Sequence, residues 1–137
     1  MNIIHYVIPI EESIIDAFFI CEKRERAKYE LASPKKRRSF IWKISEKYIR
    51  DNCLIKIEES VESFETILNI MKNNGSPQYC YVLSIDDNID GKILSLSTAL
   101  SKVVGLGPAL ISCKHGKLGY LECEQSYGAP QRFMLKK

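Results

Sequence analysis

The hydrophobic pattern of this chain changes its period at residues 73–77, and that change limits the folds open to it. Before this segment, apolar residues recur at helical spacing; after it they form short runs rich in β-branched and aromatic residues. The segment itself, Asn73-Asn74-Gly75-Ser76-Pro77, combines residues that end helices with residues that break them. The sequence therefore predicts an α+β fold, with helices in the first part of the chain and strands in the last part.

Three helices are predicted before this boundary. The first spans about 11–31, with acidic residues near its start. The second spans about 34–51, because Ser33 is a favoured N-cap and Pro34 suits the first helical position. On a helical wheel its apolar side chains, Trp42 included, occupy one arc, and four of its basic side chains occupy the opposite one. The third helix begins near Ser60 and ends by residue 74.

The last part of the chain predicts a mostly antiparallel sheet of about four strands with one inserted helix. The strands are 79–85, 109–113, 118–122 and 132–135, and the helix is 97–104. Strands 109–113 and 118–122 form a hairpin if His115-Gly116 is its two-residue turn. The N-terminal helices, about 10–74, are expected to pack on this sheet, about 78–136.

The length of 137 residues fits one domain, 1–137, with a core large enough to need no disulfide or structural metal. Five cysteines are spread along the chain without a C-x-x-C pair, which favours free thiols in a reducing compartment. The N-terminus lacks the pattern of a signal peptide, and no apolar run approaches the ~20 residues of a membrane span. These features predict a cytoplasmic protein without membrane contact, either a monomer or a weak dimer.

The pattern Asp86-x-Asn88-x-Asp90-Gly91 matches the first half of an EF-hand calcium loop. Its twelfth position, which should be glutamate, is Ser97, and a strand instead of a helix is predicted before it. Asp, Asn and Gly are also the residues of ordinary tight turns. A turn is the favoured interpretation, and a weak calcium site is the alternative.

No catalytic constellation is predicted, and no metal or cofactor. His5 and His115 are isolated, and Cys113-x-His115 has no third group to orient a nucleophile–base pair. The glycines of 105–107 follow a helix, whereas a phosphate-binding loop opens one. The chain is therefore predicted to be a non-enzymatic binding protein.

Charge is polarised along the chain. Residues 22–50 contain eleven Lys/Arg and four Glu, a local net charge of +7, whereas the whole chain carries +3. Within the predicted second helix, the basic side chains on the polar arc are Lys36, Lys43, Lys47 and Arg50. Three interpretations stay open: a solvated helical face, a surface for a protein partner, or a surface that neutralises nucleic-acid phosphates.

The C-terminal third resembles small bacterial immunity proteins of contact-dependent inhibition and polymorphic-toxin systems. The resemblance covers about the last fifty residues and lies in 85–86, 90–96, 99–100, 105–107, 110–112 and 116–122. It implies a cytoplasmic protein that binds one cognate toxin domain and blocks its active site.

The resemblance supplies no functional residues. Because the chain is mildly basic, either the toxin is itself acidic, or the contact surface is the set of acidic side chains that could face a basic toxin. These are Glu58, Glu59, Glu62, Asp86, Asp87 and Asp90. The alternative expectation is a nucleic-acid-binding accessory protein that uses the basic helix 34–51.

Overall fold

The computed structural model describes residues 7–58, 61, 63–114, 116–125 and 130–137. Its helices are α1 (Pro9–Phe18), α2 (Cys21–Ala32), α3 (Arg37–Lys43), α4 (Phe64–Asn73) and α5 (Leu96–Val103). Its strands are β1 (Leu54–Ile57), β2 (Tyr79–Ser84), β3 (Ile93–Ser95), β4 (Ala109–Lys114), β5 (Leu118–Glu122) and β6 (Arg132–Lys136). The strands pair antiparallel in the order β1-β6-β5-β4-β2-β3. The α+β class is confirmed, with six strands in the described residues where about four were predicted.

Helices cover both faces of the sheet. Alternate strand residues point to opposite faces, so Leu110 joins the core beneath α1, α2 and α3, whereas Ile111 joins the core beneath α4 and α5. The first core contains the buried Phe18, Phe19 and Phe40, and the rings of Phe19 and Phe40 lie 6.3 Å apart. The fold therefore has three layers, and the sheet residues of its middle layer are mostly apolar on both sides.

Two strands were not predicted from the sequence, and both lie at the edges of the sheet. β1 falls inside the segment predicted as helical, and pairs with β6 through Leu54–Leu135. β3 has three residues and pairs with β2 through Tyr81–Ile93. Strands of three or four residues are too short to show a two-residue period, which explains why the count of four was too low.

The predicted helix 11–31 is two helices, because the chain is extended at Phe19 and Ile20. Phe19 forms an isolated antiparallel bridge with Ile49, Ile20 N–H donates to the Tyr48 carbonyl and Arg50 N–H donates to the Phe18 carbonyl. No proline or glycine marks this break in the sequence. A pairing with residues about thirty positions away overrides local helical propensity.

The predicted helix 34–51 is wrong for the same reason. Only Arg37–Lys43 is α-helical, since Ile44 is extended and Ile49 is needed for the bridge to Phe19. Single 3₁₀ turns at Glu46–Tyr48 and Asp51–Cys53 carry the chain from α3 to β1. Trp42, expected in the core, is 39 % exposed.

Other boundaries agree with the sequence more closely. Helix α4 is capped by Ser63 and ends before Gly75, whose φ of +92° suits glycine. Strands β4 and β5 form the predicted hairpin, while His115 lies outside the described residues. Across the described ranges, no helix combines the length and apolarity that a membrane span requires.

Candidate partner-binding groove

A groove runs between α3 and the loop of residues 104–108. It consists of two adjoining cavities of about 330 and 340 Å³, which share Leu106 and Gly107 as lining residues. Arg38 borders the first cavity and Trp42 the second, and these residues lie four apart on α3, so they occupy one face of that helix. We call this surface the docking groove.

The docking groove exposes large apolar side chains. Leu106 is 69 % exposed and Trp42 39 %. Ile85 and Pro108 add apolar surface to the two cavities. Contiguous exposed apolar surface with an aromatic residue and an arginine beside it is typical of a protein-binding site.

The rim of the docking groove carries both signs of charge. Arg38 and Lys102 are exposed, and Arg38 Nη1 lies 3.9 Å from Asp87 Oδ2. Asp86 lines the first cavity and Glu124 the second. This alternation favours a partner surface that itself carries both charges.

A buried ion pair holds the glycine loop in place. Gly105 N–H donates to Glu122, 2.9 Å from Oε2, and Glu122 also accepts from Tyr120 Oη at 2.8 Å and from Arg132 Nε at 2.9 Å. Glu122 is 1 % exposed and Arg132 5 % exposed. Burial, and then the charge of Glu122, raise the pKa of Tyr120 well above its ordinary value. The loop is therefore tied to the centre of the sheet although its tip is exposed.

Sequence reasoning missed Glu122 and Arg132 as interacting residues. One feature of the sequence could have identified them: each is a charged residue within a predicted strand whose other residues are apolar. Because charged side chains are rarely buried unless they are paired, two such residues indicate an ion pair. Their antiparallel register, Glu122–Arg132, became known only with the sheet topology.

A second charged cluster centres on Arg37, which is only partly exposed. Its Nη1 and Nη2 donate to Glu11 at 2.8 and 2.6 Å, and its Nε and Nη2 donate to Asp90 at 2.7 and 3.2 Å. Nη1 also donates to the Leu31 carbonyl at 3.1 Å, so all five N–H groups have acceptors. Burial opposes the charge of Arg37, but Glu11 and Asp90 outweigh it and raise its pKa. Tyr81 Oη donates to Glu11 from the sheet, so this cluster joins α1, α2 and α3 to β2 and the following turn.

The predicted acidic contact residues do not form one patch. Asp86 and Asp87 are exposed beside the docking groove, whereas Asp90 points inward to Arg37 and to the Ser84 amide. Glu58 is exposed after β1, at the opposite side of the sheet from β2. Glu59 and Glu62 lie outside the described residues.

The predicted basic residues do not share one helical face either. Lys36, Lys43 and Lys47 are exposed, but Lys36 precedes α3, Lys43 ends it and Lys47 belongs to a 3₁₀ turn. Lys36 Nζ lies 4.8 Å from the ring centre of the exposed Tyr29. Arg50 donates to the Asp16 and Phe19 carbonyls at 3.2 and 3.4 Å, so its guanidinium closes the end of α1.

The calcium-loop pattern forms a hydrogen-bonded turn. Asp86 Oδ1 accepts from Asn88 N–H at 2.9 Å, and the Asp86 carbonyl accepts from Ile89 and Asp90 N–H. Within the described ranges, no group of three or more His, Cys, Asp or Glu side chains could hold a metal ion. Cys113 is buried, and burial raises its pKa to about 11; its sequence neighbour His115 lies outside the described residues.

Comparison of the chain with protein-family models, with curated proteins and with solved structures gives no match.

Proposed function

We propose that this chain is a non-enzymatic binding protein of the immunity type, which neutralises a cognate toxin domain by docking on it through the docking groove. The observation that carries the proposal is the pairing of exposed Trp42 with exposed Leu106 across the groove, with Arg38 beside them. Trp and Arg dominate the binding energy of protein interfaces when a partner encloses them.

The charge of the groove favours a protein partner over nucleic acid. Asp86, Asp87 and Glu124 lie at or beside the two cavities, and their carboxylates would repel a phosphate backbone. Arg38 and Lys102 on the same rim can meet acidic side chains of a protein partner while the carboxylates meet basic ones. Complementarity of this mixed kind provides specificity for one partner.

The immunity assignment rests on the resemblance of the C-terminal third. The residues that carry it include Ile85, Asp86, the 105–107 loop and Glu122, which line the docking groove or support its loop. The same part of the chain therefore supports both the expected role and the expected contact surface.

The proposal expects the neighbouring reading frame to encode a toxin-like C-terminal domain, and the experiment measures binding to that domain. Trp42 is the only tryptophan of the chain, so its fluorescence serves as a local reporter of docking. Leu106→Asp is expected to weaken binding tenfold or more, about 1.4 kcal/mol, and to abolish protection of cells that express the toxin. Ile55→Asp is the matched control, because Ile55 is 44 % exposed on β1, away from the groove. No complex with that domain, or equal losses for both variants, overturns the proposal.

Nucleic-acid binding is the second candidate, and the contact of Lys36 with the exposed ring of Tyr29 favours it. An aromatic face with cations around it can stack on bases of a single strand. Such binding should be strong at about 50 mM salt and collapse by about 200 mM, as counterion release predicts. Lys36→Ala together with Tyr29→Ala should then abolish retention, while Leu106→Asp should leave it unchanged.

A further inference from the structure

A third cavity, separate from the docking groove, lies between the first half of α1 and the sheet. Its volume is about 370 Å³, within the range of small-molecule sites. Ile10 and Ser13 of α1 form one wall, and residues of β2, β3 and β4 form the floor. It shares no lining residue with the two cavities of the docking groove. We call it the apolar groove.

The floor of the apolar groove is sheet surface that α1 does not cover. Tyr81 is the cross-strand partner of Ile93 on one side and of Ser112 on the other, so their side chains share a face. Tyr79 is 58 % exposed and Ile93 66 % exposed, which makes them two of the most exposed large apolar residues described. An apolar ligand body placed here would remove this surface from water.

Two hydroxyl groups of the groove already have hydrogen-bond acceptors. Tyr81 Oη donates to Glu11, and Ser13 Oγ donates to the Ile10 carbonyl at 2.9 Å. Lys114, at the end of β4, is exposed and forms no ion pair within the described part of the chain. It is also the only charged residue among the described lining residues. The apolar groove thus offers an apolar floor and one available ammonium group.

Cys80 and Cys113 line the groove but are poor nucleophiles. Both are buried, and burial raises the pKa of Cys80 to about 12 and that of Cys113 to about 11. At neutral pH they are thiols, and both side chains pack in the core beneath α4 and α5, on the sheet face opposite that of Tyr81. The groove is therefore suited to reversible binding.

We propose that the apolar groove binds a small organic monoanion, an aromatic or branched aliphatic carboxylate. The apolar body lies over Tyr79, Tyr81 and Ile93, and the carboxylate faces Lys114 Nζ. This proposal does not depend on the docking groove or on a toxin partner.

The test uses 1-naphthoate as the probe and the full chain as the protein. Amide shifts in a ¹⁵N correlation spectrum report where it binds, and calorimetry reports how tightly. We expect saturable binding with Kd below about 1 mM, with shifts concentrated at Tyr79, Ile93 and Lys114. Lys114→Met keeps the apolar stem and should weaken naphthoate binding about threefold to tenfold, and Lys114→Arg should restore it.

Two matched controls test separately whether the charge of Lys114 and its position in the apolar groove are responsible for binding. Lys117→Met removes a neighbouring exposed lysine that does not line the groove, and binding should be unchanged. The neutral analogue 1-naphthalenemethanol should bind wild type and Lys114→Met equally. The proposal fails if naphthoate gives no saturable shifts at about 1 mM, if the shifts map to Trp42 and Leu106, or if Lys114→Met binds as wild type does.

Discussion

The guanidinium of Arg37 binds the carboxylate of Asp90 through two hydrogen bonds, Nε to Oδ2 at 2.7 Å and Nη2 to Oδ1 at 3.2 Å. Asp90 closes the turn whose Asp86 and Asp87 lie beside the docking groove, and Arg37 precedes Arg38 on α3. The pair therefore connects the two walls of the first cavity through residues that do not line it. The Arg37–Asp90 pair therefore fixes the distance between these two walls without lining the cavity itself.

Arg37→Met should lower the free energy of unfolding by about 3 kcal/mol, because Glu11 and Asp90 lose their shared cation while Glu11 remains buried. Urea denaturation followed by far-UV circular dichroism measures the change. Arg38→Met is the matched control, since Arg38 is 62 % exposed and its only ion-pair contact in the described residues is at 3.9 Å. That variant should stay within about 0.5 kcal/mol of wild type. Equal losses for the two arginines would contradict the role assigned to Arg37.

Arg37 and Arg38 also illustrate which features of the structure could be predicted from the sequence and which could not. Arg37 and Arg38 belong to one basic run, and nothing local distinguishes the buried from the exposed one. The difference arises from Glu11, 26 positions earlier, and Asp90, 53 positions later. Fold class, the β4–β5 hairpin and the end of α4 depend on local signals, and the sequence predicted them. The break at Phe19, the edge strands and the Arg37 cluster depend on contacts between distant segments, and the sequence did not predict them.

The candidate site shows the same division. The sequence identified Asp86 and Asp87 as exposed acids, and they lie beside the docking groove. It did not identify Trp42 or Leu106. Trp42 fell on the apolar arc of a helix predicted too long, and Leu106 stood between two glycines that were placed only after a helix. An exposed apolar residue becomes informative when its neighbours in space are known.

Because Tyr81 is buried with its phenol protonated, we expect the free energy of unfolding to fall at high pH. Its burial, and then its hydrogen bond to Glu11, raise the pKa of Tyr81 above the value of about 10 for an unfolded chain. Below about pH 10 the phenol is protonated in both the folded and the unfolded protein, so its full contribution to the free energy of unfolding is present. Above about pH 10 only the unfolded protein loses this proton, and the free energy of unfolding falls. In Tyr81→Phe, the decline of unfolding free energy between about pH 10 and 11 should be shallower, by up to about 1.4 kcal/mol per pH unit.

Urea titrations of wild type, Tyr81→Phe and Tyr120→Phe at several pH values provide the slopes. Burial, and then the charge of Glu122, likewise raise the pKa of Tyr120, so each single variant should remove one contribution and the double variant both. Equal slopes for wild type and the double variant would contradict this account.

The five cysteines should react in two classes. Cys21 is exposed, whereas Cys53, Cys80, Cys113 and Cys123 are buried. Burial raises the pKa of Cys80 and of Cys123 to about 12 each, so at pH 8 only about one thiolate in 10⁴ is present at either site. Ellman's reagent should modify one thiol rapidly in the native protein and all five in urea. Cys21→Ser should remove the rapid phase, whereas a rapid phase that persists in that variant would show that the buried sites open readily.

Gly107 should control the shape of the docking groove. Its φ is +138°, and a Cβ there would lie 2.8 Å from Ile85 Cδ1, so Gly107→Ala strains the backbone and also pushes on Ile85. Gly75→Ala is the matched control, because its φ is +92° and a Cβ there meets nothing within 4 Å. Both variants should lose about 1–2 kcal/mol of stability from backbone strain.

Only Gly107→Ala should alter the environment of Trp42, which lines the same cavity as Gly107. Its emission maximum and its quenching by acrylamide should change, while those of Gly75→Ala should match wild type. Since Trp42 is the only tryptophan, the signal has a single source. If both variants leave Trp42 emission unchanged while losing stability equally, the 104–108 loop does not shape the groove, and the docking surface must be drawn without it.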